Sequence, residues 1–147
     1  MAREHKTDMT VLVTPDMSNF GGKMHGGELL KLLDKVAYTC AMRYCGTYVV
    51  TLSVDKVLFK EPVAIGELVS LKAAVNYTGR TSMEVGIRVV AENLETGCVR
   101  HTNSCYFTMV AVDKDGNPTA VPTYTPTTDV EKQRWEEAVQ RRKNSRG

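Results

Sequence analysis

The hydrophobic pattern of this chain changes period at Gly46, and that switch limits the folds open to it. Upstream, Leu29, Leu33, Val36, Ala37, Cys40 and Tyr44 share one side of a helical wheel, which predicts a helix from about Met24 to Tyr44 with Gly46 as its stop. A helix of that length is roughly 30 Å long and can cross a whole sheet. Downstream the period is 2. Tyr48 to Phe59 is a β-rich run ended by Glu61-Pro62. From Glu67, residues Val69, Leu71, Ala73, Val75 and Tyr77 alternate with Ser70, Lys72 and Asn76. The turn Tyr77–Arg80 leads into a matching run, Met83, Val85, Ile87, Val89 and Ala91 against Glu84, Arg88 and Glu92. A last strand, Cys98 to Val112, follows the turn at Glu95–Gly97.

A short first strand, Thr7–Thr14, precedes the helix and is closed by Pro15. Turns this short demand antiparallel neighbours. The expected fold is therefore α+β, a curled five-stranded antiparallel sheet wrapped on one long helix. Such a sheet leaves an open edge, for which a second copy of the chain is the expected cover. Pro122 and Pro126 among threonines mark a linker, and Asp129–Lys143 reads as a terminal helix capped by Thr128 or Asp129. The division is residues 5–122 for the main domain and 123–147 for linker and basic helical tail.

With 147 residues, one domain suffices. The formal charge of +2, from 19 basic and 17 acidic residues, is too balanced for a binder that neutralises many phosphates, so nucleic acid is excluded as a partner. The basic excess is local: Arg134, Arg141, Arg142, Lys143 and Arg146 load a tail that reads as a solvated end. Cys40, Cys45, Cys98 and Cys105 have neither a CxxC pair nor zinc-ligand spacing and are expected to be reduced core thiols. A polar N-terminus and no apolar run of membrane-spanning length predict a cytoplasmic protein without a membrane partner.

One stretch reads as a site. Asn19 to Asp34 delivers an amide, the glycines 21, 22, 26 and 27, and a helix-borne carboxylate. Glycine lets backbone N–H groups approach a ligand closely, and a helix N-terminus favours negative charge. Asp34 falls at the margin of the buried stripe, beside Leu30 and Ala41.

The chain resembles the hotdog-fold acyl-CoA thioesterases of the bacterial short- to medium-chain type, related to the brain acyl-CoA hydrolase group. The resemblance rests on Asn19-x-x-Gly22 before His25-Gly-Gly27, on Asp34 in Leu-Leu-Asp-Lys-Val-Ala, and on Val54-Asp55-x-Val57-x-Phe59-x-x-Pro62-Val63-x-x-Gly66-Glu67. Gly79-Arg-Thr-Ser-Met-Glu-Val85 and Phe107-Thr-Met-Val-Ala-Val-Asp113 complete it. It implies a homodimer, commonly a trimer of dimers, that hydrolyses acyl-CoA to a fatty acid and CoA without a cofactor. It also implies that Asn19 and Asp34 are the catalytic pair, each site drawing them from opposite subunits.

Hydrolysis of a thioester needs a polarised carbonyl and a positioned water or nucleophile. Asp34 would act as general base or nucleophile, Asn19 would orient water or substrate, and N–H groups near Gly26 and Gly27 would hold the oxyanion. No metal is called for, and the sequence offers no metal cluster. His25 suits either a cap or a substrate contact and is counted with the binding residues. The resemblance places Arg80, Thr81 and Ser82 near the CoA arm, with Arg88 and Lys60 as rivals to Arg80 for its phosphates. A non-catalytic acyl-CoA sensor or assembly module is the alternative function, disfavoured by a carboxylate facing the thioester. A hotdog hydratase would want a His and acid pair at another spacing.

Overall fold

Gly26–Cys45 form the long helix α1, which packs against all five strands of one antiparallel sheet. The structure, a computed structural model, describes residues 3–58 and 61–146. In chain order the strands are β1 (Lys6–Leu12), β2 (Tyr48–Asp55), β3 (Leu68–Thr78), β4 (Ser82–Glu92) and β5 (Val99–Val112), and a C-terminal helix, α2, covers Asp129–Arg146. Their order across the sheet is β1-β3-β4-β5-β2, which leaves β1 and β2 at the edges.

The expected stripe on α1 is buried in full, and Leu32 and Ala41 join it. A helix touched by every strand buries a wider arc than one laid on a flat sheet. Gly46 ends α1 at φ +78°, the left-handed region glycine tolerates, and its N–H returns to the Met42 carbonyl at 2.8 Å. The N-terminus lies two residues later than expected. Met24 bridges to Ser18 instead of entering the helix, and His25 is the cap.

Two β-bulges correct the period-2 reading. Between Val75 and Tyr77 the pairing with β4 slips, so Tyr77 crosses to the outer face, while Asn76 keeps the outward side expected of it and is only 6% exposed because α2 lies over it. Tyr77 there meets Trp135 of α2, with 4.6 Å between ring centroids, and Tyr124 lies 6.2 Å from the same indole. The second bulge falls at Leu52, where the pairing with β5 slips between Thr51 and Ser53. Thr51 pairs with Met109 and Val54 with Phe107, so both lie on the α1 side of the sheet although three residues separate them. β2 stops at Asp55 and not at Phe59: Lys56 adopts φ +62°, which no strand accommodates, and Phe59 lies outside the described residues.

The tail is not a solvated end. Arg141 forks onto the Glu84 carboxylate at 2.6 and 3.1 Å and lies over the Tyr106 ring, while Arg142 donates to Ser82 Oγ at 3.1 Å. Thr128 is the cap of α2. Its hydroxyl accepts the Glu131 N–H, and Glu131 reaches back to the N–H groups of Thr127 and Thr128, a reciprocal capping box. Of the cysteines, Cys40 and Cys105 are core thiols that burial pushes up to about 12, whereas Cys98 is exposed in the turn before β5.

Candidate active site

Asp34 projects from the exposed margin of α1 toward β2, and Thr51 Oγ1 donates to its Oδ1 at 2.9 Å. Beside it opens a groove of about 420 Å³ lined by Gly27, Leu30, Lys31, Asp34, Val54 and Phe107. Leu30, Val54 and Phe107 make its walls apolar, and the Asp34 carboxylate, Lys31 and Gly27 complete the lining. The bulge at Leu52 makes this possible, because it brings Thr51 and Val54 to the same face of β2.

The helix start is partly satisfied from within. His25 Nδ1 accepts the Gly27 N–H at 3.2 Å, so His25 serves as a cap and the Gly27 N–H is occupied. Gly26 presents the first-turn N–H that has no protein acceptor among the described residues. The expected pair of glycine donors is thereby reduced to one.

Asn19 lies in the loop before α1 and does not line the Asp34 groove of its own chain. Its Oδ1 accepts the N–H groups of Gly21 at 2.9 Å and Lys23 at 3.2 Å, an Asx turn that leaves the Nδ2 amide as the group facing outward. The turn thus fixes the direction of the Asn19 amide.

Arg80 and Thr81 sit in the β3–β4 turn and Ser82 opens β4, all three apart from the groove. The Arg80 and Thr81 carbonyls accept the N–H groups of Val121 and Ala111 at 3.0 and 2.9 Å, which fixes the turn and leaves the Arg80 side chain exposed. Ser82, expected at the CoA arm, spends its hydroxyl on Arg142. Arg88 faces the outer side of the sheet, in a larger groove of about 500 Å³ with Lys72 and Arg134, which holds neither Asn19 nor Asp34. Lys60 lies outside the described residues.

Thr51 escaped the sequence reading. Its signal was available: β2 is apolar at Val49 and Val50, and a hydroxyl on the strand beside Asp34 stands out once the two elements are packed.

A long helix held by a five-strand antiparallel sheet, with a carboxylate on its margin and a glycine-bounded start, defines the hotdog class. The sequence pattern of the thioesterase superfamily matches residues 21–98, and the chain belongs to that superfamily. It is 55% identical over 134 residues to Protein VdlD of Helicobacter pylori, covering 91% of this chain and 76% of that one. An apo-hexameric acyl-CoA thioesterase superposes with a TM-score of 0.91 at 42% identity, over 95% of this chain and 89% of that chain. The acyl-CoA hydrolase of Staphylococcus aureus, solved with butyryl-CoA, CoA and CoA disulfide, superposes at 0.87 and 35% identity, over 96% and 88%. The S. aureus hydrolase has also been solved with an aspartate, an asparagine or a threonine replaced by alanine.

Proposed function

We propose that this protein hydrolyses acyl-CoA to a free acid and CoA, with Asp34 and Thr51 of one subunit and Asn19 of another forming each site. The observation that carries this reading is the Asp34 carboxylate, held by Thr51 at the mouth of an apolar groove beside the N-terminus of α1. The replaced asparagine, aspartate and threonine of the S. aureus hydrolase are separated by the same fifteen and seventeen residues that separate Asn19, Asp34 and Thr51, which supports grouping the three.

The roles follow from the hydrogen bonds. Thr51 fixes one Asp34 oxygen and leaves the other to take a proton from water as that water attacks the thioester carbon. The carbonyl oxygen then gains negative charge. The free Gly26 N–H at the helix start and the Asn19 Nδ2 amide are the donors suited to it. Collapse of the tetrahedral intermediate breaks the C–S bond and expels the CoA thiolate, a good leaving group. Because the Asn19 oxygen is committed to its own turn, its role is donation to substrate, a sharper statement than orientation of water.

The second subunit is argued from the sheet edges. β1 carries Lys6 and Asp8 along its exposed edge, which discourages pairing. β2 instead exposes Tyr48 at 67% and Leu52 at 68%, with Val50, Val54 and Leu58 beside them. An edge with that much exposed apolar surface calls for a second copy, and fully exposed Phe20, next to Asn19, is placed to pack on it. The hexameric relative supports a trimer of such dimers. The test is release of free thiol across an acyl-CoA series from C2 to C16. Hydrolysis of some member at rates well above the spontaneous background is expected; none across the series would leave a binding protein.

A further inference from the structure

The loop carrying Asn19 belongs to a small ladder of backbone bonds beside the main sheet. The Asn19 N–H donates to the Lys23 carbonyl at 2.8 Å, and Ser18 bridges Met24. On the other side Lys23 bridges Ala64, the Met24 N–H donates to Val63 at 2.6 Å, and the Ile65 N–H donates to Gly22 at 3.1 Å. Three short segments, residues 17–19, 22–24 and 63–65, therefore lie side by side. Pieces this short do not hold themselves together in water.

Met24 and Val63 are buried in the core and the 62–67 loop exchanges two backbone bonds with Val13, and beside these anchors stands an ionic one from β5. Arg100 Nη1 donates to Glu67 Oε2 at 2.5 Å, and Arg100 Nη2 donates to both Glu67 Oε1 at 2.9 Å and the Pro62 carbonyl at 2.7 Å. Glu67 Oε1 also accepts the Ala64 N–H at 2.8 Å. One guanidinium thus ties both ends of the 62–67 loop to the sheet, and the far side of that loop is bonded to residues 22–24, which pair in turn with the segment containing Asn19. Glu67 is only 7% exposed. Burying a carboxylate is a poor way to gain stability, since apolar side chains do as well or better. What the pair supplies is geometry, because a planar guanidinium grips both carboxylate oxygens and the carbonyl in one fixed arrangement, whereas an ammonium is a rotatable point charge without that fork.

We propose that Arg100 is a positioning residue for thioester hydrolysis: through Glu67 and Pro62 it sets the 62–65 segment, and through that segment the place at which Asn19 presents its amide. This rests on the role of Asn19 given above. Arg100 touches no reacting atom. Its effect is on kcat, because Asn19 acts on charge that develops only in the transition state.

Arg100→Lys keeps the charge and loses the fork. Its kcat is expected to fall roughly ten- to a hundredfold, the range for a small displacement of a reacting group, with KM for acyl-CoA within about twofold of wild type. Amide exchange measured by mass spectrometry should quicken at 18–24 and 62–66 while α1 and β3–β5 stay protected. Glu67→Gln, which keeps an oxygen for the Ala64 N–H, should show the same pattern more weakly and serves if the arginine variant does not fold. In an Asn19→Ala background, Arg100→Lys should add no further loss. Lower thermal stability with unchanged kcat would overturn the proposal, as would a loss of kcat that multiplies with that of Asn19→Ala. If Asn19→Ala by itself leaves hydrolysis intact, the assignment of Asn19 fails; the exchange of 18–24 in Arg100→Lys still reports separately whether the clamp holds that loop.

Discussion

Thr51 Oγ1 donates to Asp34 Oδ1 over 2.9 Å and so fastens edge strand β2 to the middle of α1 beside the groove that Asp34 lines. A hydroxyl bonded to a carboxylate both fixes its rotamer and selects which oxygen remains for water. Thr51→Val keeps the shape and removes the donor. Its kcat should fall roughly tenfold, in line with the loss of one hydrogen bond to a charged group, and Thr51→Ser should restore most of it. Equal turnover in valine and threonine forms, read by thiol release, would remove Thr51 from the mechanism.

Asp34→Asn should fold, assemble and lose hydrolysis by roughly a hundredfold or more, because the amide cannot take the proton from water. Asn19→Ala should be similarly impaired. If each site draws the two residues from different subunits, mixing these inactive proteins under subunit exchange restores activity. About half the dimers are then mixed and one site in each is intact, so recovery should approach about a quarter of wild type. Demonstrated exchange without recovery would place the pair within one chain.

Arg80 is exposed, while its turn is held by main-chain bonds to Val121 and Ala111. Arg80→Ala should therefore leave the turn standing and raise KM for acyl-CoA with kcat nearly unchanged, the signature of a contact shared by ground and transition states. An unaltered KM at low ionic strength would move the phosphate contact to another cation.

The docking of α2 should be lost in acid. The N–H groups of Thr127 and Thr128 donate to the Glu131 carboxylate and, with the Thr127 hydroxyl and His5 at 3.2 Å, hold it down to about 2 from the ordinary 4.5. A carboxyl lowered in the folded state contributes stability that is complete above its unfolded value and disappears as pH falls through the folded one. Limited proteolysis with an acid-active protease should find the 123–146 segment protected at pH 5 and increasingly cleaved toward pH 2.5. Glu131→Gln should show the weakened docking at pH 7 as well. Protection unchanged down to pH 2.5 would mean that Glu131 is not what holds the segment.

The order of elements was legible because each boundary carries a local signature. Gly46 ends α1, the turn before Ser82 joins β3 to β4, and Thr128 with Glu131 marks the start of α2. The bulges were not legible. An extra residue at Leu52 or near Asn76 leaves no mark in composition, and each reverses which side chains face inward from that point on. At the site, Asp34 and the glycines stood out as residue types, whereas Thr51 depends on a contact across 17 residues and Arg100–Glu67 on one across 33. His25 was legible as one of two readings, cap or substrate contact, and the structure shows the cap although histidine is not among the side chains that usually fill that position.

Trp135 is the single tryptophan of the chain, and it lies on the outer face of the sheet between Tyr77 and Tyr124. Its indole emission accordingly reports first on the seating of α2 against Tyr77 of β3 and Tyr124, at a distance from the groove beside Asp34. A melt followed by indole emission and one followed by far-ultraviolet circular dichroism give the same midpoint only where the tail and the sheet come apart as one cooperative unit. Where they do not, a dye-free thermal-shift screen for ligands would be reading how firmly the tail is attached and would overlook a compound seated beside Asp34.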